Sequence, residues 1–596
     1  MSAKKVRRHI RRLQRDRRRA RRRGSASTPR PPAPAPPAAD TTPAADTTPA
    51  ADTMPAAGGR RRGGGRTGAV PAVPAVLAVL AVVAVAGGSI ARDVTDAAPG
   101  TRPVDAPLFP TAAADTPFVC PPMPGRPETL SSDGRVSYQQ RDDAASSALH
   151  GLVFAVDDAG SFPEVRRARL AEDGRRDAET VVEGADAPAE GASASALADR
   201  ETTVVTEEDP RRAALLEIGP GPGGAPIAAS AMLEYSASSG PVSGVAAARC
   251  AVPQREQFFL GPETGSQATS LLTLANPAER EAAVEVAVHD ADGPRSGAGT
   301  RTVVVPGDSL RTVNLAGLAE DGAIGVSVES SGAPVAAQLT SSAAAGSVGA
   351  GVEFLPGQAG AAGEHRMPAV PLPDTDGGGT LWVHVPGEDE ATVEVQVFGE
   401  DGLEPLEGSS VFSVDGGAVR AIDLAGVPAG AHDVVVRTSV PTHAAMRTVS
   451  SDERGDGDDG GEEAGASGPD FAWQAGVERL RAGSGTLLPA EGEASVHLRA
   501  EEQATTATYR LMDGEGSFGG PREVEIPAEG SAALGSEDLR LSGQGGGGEQ
   551  ASAIVFEEPG APVVGSLRVS GEDGLSMTGL APLGDPHQAV RVRLRD

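Results

Sequence analysis

The chain has 596 residues, 82 Asp+Glu against 52 Lys+Arg, and a formal net charge of −30. Aromatics are only 3%, and Gly (77) and Pro (49) together exceed a fifth of the residues, so cores must be built from Val, Leu, Ile and Ala between many turns. The acidic surplus disfavours a nucleic-acid partner, and the composition suits several small β domains better than one large core.

Residues 1–66 hold 18 basic and 4 acidic residues, a balance of +14, which leaves −44 for the remainder. The cluster running from Arg11 to Arg23 marks the cytoplasmic side of a membrane crossing and is also suited to anionic lipid headgroups. A threefold Pro-Ala-Asp-Thr repeat follows at 37–57, too polar to pack, so residues 1–67 are expected to be a disordered basic tail. Residues 69–86, AVPAVPAVLAVLAVVAVA, carry no charge, and with the apolar residues that follow they reach the ~20 needed to span a bilayer. We expect a single transmembrane helix over 68–91, with the N-terminus cytoplasmic and the body outside. A cleaved signal peptide is the rival reading, because Ala84-Val85-Ala86 has small residues at the cleavage spacing. In that case the body would be secreted.

A linker is expected over 92–114. Cys120 and Cys250 are the two cysteines, both beyond the apolar run, and an even pair in an oxidising compartment reads as a disulfide. Two Cys 130 residues apart do not have metal-ligand spacing.

The body repeats itself. Residues 284–293 (VEVAVHDADG), 393–402 (VEVQVFGEDG) and 507–516 (ATYRLMDGEG) each alternate apolar and polar residues into an acidic-Gly turn. Each is followed by a strand-turn-strand pattern at 303–315, 412–424 and 524–534, then by a Val/Ile-rich strand, then by a proline-marked edge at Pro334, Pro441 and Pro562. Pro241 reads as an earlier relative of these prolines. Spacings near 100 residues match an immunoglobulin-like β-sandwich, and a period this long predicts a string of domains. The expected domains are a divergent sandwich over 115–252, then sandwiches over 253–367, 368–449 and 469–596, with an acidic disordered linker over 450–468. In the first, strands are expected at 148–156, 179–182, 202–205, 213–218 and 228–235.

Chemical motifs are sparse. His289, His384, His432, His443 and His497 are scattered singly and are expected on solvent faces. The G-x-G-x-x-G match at 219–224 contains prolines and has no following helix, so a hairpin loop is expected there. The acidic run 456–463 lacks calcium-loop spacing. Phe258-Phe259 and Phe471-Ala472-Trp473 are expected to plug a core or a domain junction. No catalytic, cofactor-binding or metal residues are assigned.

Arg249-Cys250, Phe258-Phe259, Thr273-Leu274-Ala275-Asn276-Pro277 and the strand at 284–293 resemble a family of unknown function, made up of membrane-anchored or secreted proteins of high-GC Gram-positive bacteria. The resemblance covers roughly residues 100–590. It implies location and architecture and supplies no catalytic residues. The resulting expectation is a non-enzymatic, single-pass envelope protein with all-β interaction or scaffold domains outside the membrane. The alternatives are an envelope-assembly subunit that binds a polysaccharide or a partner protein, or an exported hydrolase with a non-standard site.

Overall fold

The computed structural model describes residues 115–125 and 145–583, less 192, 266, 320–323, 346–347, 359, 374–378, 401, 451–469, 491, 542–547 and 572–573. The basic tail, the apolar run, the first linker and the acidic linker beyond Ser450 lie outside the described residues. Among the described residues the structure is all-β: its helical elements are three-residue 3₁₀ turns, and no helix is long and apolar enough to cross a membrane.

Four units follow one another. The first holds β1 (Thr116–Val119), β2 (Ser146–Phe154), β3 (Val165–Ala171), β4 (Gly174–Val182), β5 (Thr202–Glu208), β6 (Ala213–Ile218), β7 (Ala229–Ala237) and β8 (Gly244–Arg249). The second holds β9 (Glu256–Leu260), β10 (Ala268–Asn276), β11 (Ala282–Asp290), β12 (Gly293–Pro294), β13 (Thr300–Val305), β14 (Ser309–Asn314), β15 (Gly325–Gly332), β16 (Ala336–Ala345) and β17 (Val348–Leu355). The third holds β18 (Ala362–Leu372), β19 (Gly379–His384), β20 (Ala391–Gly399), β21 (Gly402–Glu404), β22 (Val411–Val414), β23 (Val419–Asp423), β24 (Gly430–Val449) and β25 (Phe471–Ala475). The fourth holds β26 (Ser484–Leu487), β27 (Glu493–Ala500), β28 (Thr505–Met512), β29 (Arg522–Ile526), β30 (Ser531–Leu534), β31 (Ala553–Phe556), β32 (Val563–Gly571), β33 (Gly574–Gly579) and β34 (Ala581–Pro582).

All four share one antiparallel wiring. The first unit pairs β4-β3-β6-β1 and β5-β2-β7-β8, and the second pairs β13-β11-β15-β9 and β14-β10-β16-β17. The fourth repeats the pattern as β29-β28-β31-β26 and β30-β27-β32-β33. In the third, β24 is continuous where its neighbours use two strands. Its first half pairs with β18 and β20, and its second half, from His443, pairs with β19 and β25. Pro441 sits at the hand-over, where a residue without an N–H costs the ladder least. The alternation that reveals the repeat is the core pattern itself: β11 buries Val284, Val286 and Val288, and β20 buries Val393, Val395 and Val397. Immunoglobulin order pairs second with fifth and third with sixth strands, as here, but it places the first strand beside the second. In this chain the first strand pairs with the sixth and the seventh with the second.

Four details differ from the sequence reading. Pro241 precedes the eighth strand of its unit, and the proline equivalent to Pro334 and Pro562 is Pro226, ahead of β7. Pro226, Pro334, Pro441 and Pro562 are 108, 107 and 121 residues apart. Phe471–Ala475, expected to open the fourth domain, pairs with β24 and closes the third unit. The loop at 219–224 is not a hairpin, since it carries the chain from β6 in one sheet to β7 in the other. The Arg-rich β3 is a strand the sequence does not announce, because three arginines mask its alternation.

The units form a closed ring rather than a string. Their eighth strands pack in a cycle, β8 on β17, β17 on β25, β25 on β33 and β33 on β8. Cores run across the junctions. Leu152, Phe154, Met232 and Ala247 of the first unit belong to the apolar cluster of the fourth, and Trp382, Val419 and Trp473 of the third belong to that of the second. The physical reason is size: an Ala/Val-built unit of about 100 residues buries too little by itself.

Candidate functional site

The expected disulfide forms between Cys120 and Cys250. It joins the end of β1 to the end of β8, the two flanks of the first unit.

The ring's centre is built from the eighth strands. At their starts lies Asp470, fully buried, which accepts four backbone N–H bonds. Val352 (3.1 Å) and Phe471 (2.9 Å) donate to Oδ1, and Val245 (3.0 Å) and Leu575 (2.9 Å) donate to Oδ2. The donors come from all four units, so one carboxyl clasps the whole ring. Gly244 and Gly351, with φ of +141° and +110°, leave room for it, since a Cβ at either would meet Oδ1 within 3 Å. Beside it Glu353 is fully buried, taking hydrogen bonds from the Phe354 N–H and the Ser576 hydroxyl. Burial pushes Asp470 up to about 7 against its four donors, and holds Glu353 well above the carboxylate range.

A second cluster lies at the junction of units two and three. His384 and His443 are direct cross-strand partners with Nδ1 atoms 3.2 Å apart. Phe258 stacks on both at ring-centroid distances of 4.0 and 4.6 Å, and His289 meets His384 edge-on at 4.8 Å. The expectation of scattered, solvent-facing histidines is corrected here: His384 and His443 are 3% and 8% exposed, and His432 is buried. His384 and His443 face away from their own unit's core, but Phe258 of the neighbouring unit covers that face, whereas His432 bonds the Pro428 carbonyl within its own unit. Burial drives His384 to about 2 and His443 to about 4, so both are neutral near pH 7. Among the described residues no group of three or more His, Cys, Asp or Glu is placed to hold a metal ion. Phe258 and Trp473 act as the expected junction plugs, Trp473 packing against Trp382 and over Gly261.

At the other end of the eighth strands the chain opens around a cavity of about 830 Å³, lined by residues 247–252, 354–357, 473–478 and 577–582 and by Gln257, Phe259 and Gln338. Every unit contributes to it. Gln338 donates from Nε2 to the Val119 carbonyl (2.5 Å), and Gln474 donates to that of Pro368 (3.1 Å). Those bonds fix each amide's orientation and leave both Oε1 atoms buried without a partner. Arg249, half-buried, follows β8 into the lining, and among the described residues its guanidinium makes no hydrogen bond or ion pair. Burial lowers it to about 10, partly opposed by the Glu478 charge. Sequence reasoning used Arg249 only as part of the resemblance. No local motif flags it, because its setting is created by three other units.

A comparison with curated proteins returns no match. A family model described as a family of unknown function, DUF5719, matches residues 204–537, from within β5 to just beyond β30 and so through parts of all four units. That match spans more than half of the chain, and the chain belongs to this family of unknown function.

Proposed function

We propose that this is a non-enzymatic envelope protein, held by the apolar segment 69–86 as a single-pass anchor with its basic head in the cytoplasm. Its ring of β-sandwich units then stands outside the membrane as an interaction or scaffold module. The observation that carries the reading is the Cys120–Cys250 disulfide, which suits an oxidising compartment and lies on the side of the apolar run away from the arginines. The buried titratable groups support a structural role for the ring: Asp470 and Glu353 spend their acceptors on backbone and hydroxyl donors of neighbouring units. The Arg-rich head adds contact with anionic lipid headgroups. A second reading, a subunit that captures a polysaccharide or partner protein during envelope assembly, is favoured by the cavity where the four units meet.

Protease added to intact spheroplasts tests the topology. Digestion of the body with the head spared supports it. A body that stays protected until lysis overturns it.

A further inference from the structure

We infer that the cavity at the end of the eighth strands binds a small organic acid, a carboxylate flanked by hydroxyl, amide or amino hydrogen-bond donors. The inference deepens the reading of this ring as an interaction module by naming what that module takes.

Three observations carry it. First, Arg249 is a half-buried cation in the cavity wall that makes no ion pair or hydrogen bond among the described residues, the Glu478 charge acting on it only from a distance. Proteins rarely keep such a group unpaired, because a buried charge is costly unless matched, and a guanidinium fork binds a carboxylate through two parallel N–H···O bonds. Second, Gln338 and Gln474 present buried carbonyl oxygens with no donor. An acceptor shielded from water and left empty is costly, and a ligand donor would recover that cost. A ligand that offers only an anion would leave both unsatisfied, so donors must accompany the carboxylate. Third, the volume of about 830 Å³ falls in the ~300–1,000 Å³ range of small-molecule sites, and Leu355, Met577 and Leu580 give it an apolar wall.

The charge of the lining points the same way. Its charged residues are Arg249, Arg481 and Glu478, a surplus of one positive charge inside a strongly acidic body. Glu478 makes its ion pair with Arg481 at 2.8 Å on the exposed rim and touches Arg249 only through its longer-range charge, so Arg249 is the cation without an ion pair that a ligand can meet. Over the Debye length of about 8 Å at physiological salt, the acidic exterior is largely screened from this site.

The chemistry fits the free end of a short peptide and an acidic saccharide alike, and the probes separate them. Calorimetry on the purified full chain in detergent would use alanyl-alanine and a glucuronic-acid disaccharide. The uncharged controls are alanyl-alanine amide and a neutral disaccharide. We expect one of the two acids to bind with a Kd below about 1 mM and its uncharged counterpart to bind at least tenfold more weakly. In Arg249→Met, binding of that acid should fall at least tenfold, while the unliganded variant melts at or above the wild-type temperature, because an unmatched cation has been removed. Gln474→Leu should weaken the same acid with the Arg intact. The proposal is overturned if neither acid binds, if acid and neutral analogue bind alike, if binding survives Arg249→Met, or if Arg249→Met melts well below wild type. The last result would make Arg249 a structural residue. Binding by purified protein does not depend on where the body resides, so failure here and failure of the spheroplast topology are separate results.

Discussion

The histidine cluster makes acid sensitivity measurable at one side chain. His384 is 3% exposed, packed under Phe258, with Nδ1 against His443 and Nε2 without a partner. Burial first, then the neighbouring His289 and His443, holds its pKa down to about 2. In the unfolded chain an imidazole titrates near 6.5. A folded pKa below the unfolded one means that the contribution to stability is present above pH 6.5 and is lost as pH falls below it, because only the unfolded state then takes up the proton. At pH 5 the loss from this group is about 2 kcal/mol relative to pH 8. His384→Leu removes it. The assay is urea unfolding of wild type and variant at pH 8 and pH 5. The packing cost of the substitution is the same at both pH values and cancels in the comparison. The stability gap should move by about 2 kcal/mol in favour of the variant between pH 8 and pH 5. Curves that stay parallel would refute the burial argument and mean that water reaches the ring.

Asp470→Ala should destabilise most in acid. It leaves four backbone donors from four units without an acceptor, at about 1–3 kcal/mol each before relaxation. With a folded pKa raised to about 7, the native carboxyl adds stability at low pH that is lost as pH rises through 7. The penalty read from thermal melts should therefore shrink by about 2–3 kcal/mol from pH 5 to pH 8, and a pH-independent penalty would contradict this. Replacing Cys120 and Cys250 together by Ser should cost about 4–5 kcal/mol in the chain-entropy model, for residues 130 apart. An unchanged melting temperature would rule that out. Residues 476–596 made alone lose Leu152, Phe154, Met232 and Ala247 from their apolar cluster. By circular dichroism the fragment should lack the cooperative melt of the full chain, and a melt matching the full chain would show that the fourth unit stands by itself.

What the sequence disclosed and what it hid divide along a physical line. Alternation fixes which side chains face a unit's own core, so Val284, Val393 and Ala507 mark equivalent strands across three copies, and their order survives in the fold. The first copy was also recognisable as β, though its arginines concealed β3 and a neighbouring proline displaced its register mark from Pro226 to Pro241. Periodicity says nothing about what covers the opposite face. His384, beside Val383 and Val385, reads as outward, and it is outward from its own unit, yet Phe258 of the next unit lies on it. Asp470 stands just past the acidic linker with no local motif to mark it, whereas the ring turns it into the central clasp. Arg249 likewise acquires its setting only when four units close. Local pattern thus carried the units, and ring closure carried the candidate site.

Closure also explains how the molecule holds an unmatched cation in place. β8 is fixed at both ends. Near its start the Val245 N–H is bound to Asp470, and just past its end Cys250 is joined covalently to Cys120. Along its length β8 pairs with β7, and the Ala247 N–H accepts no freedom either, since it donates to the Ser576 hydroxyl of the fourth unit at 2.9 Å. Arg249, half-buried at the cavity wall, therefore has little backbone freedom with which to carry its guanidinium away to a partner. A backbone confined in this way narrows where the guanidinium can go before any ligand arrives, and a site organised beforehand spends less of its interaction energy on ordering. The same rigidity that makes the first unit's edge part of the ring thus anchors the residue that gives the cavity its positive charge.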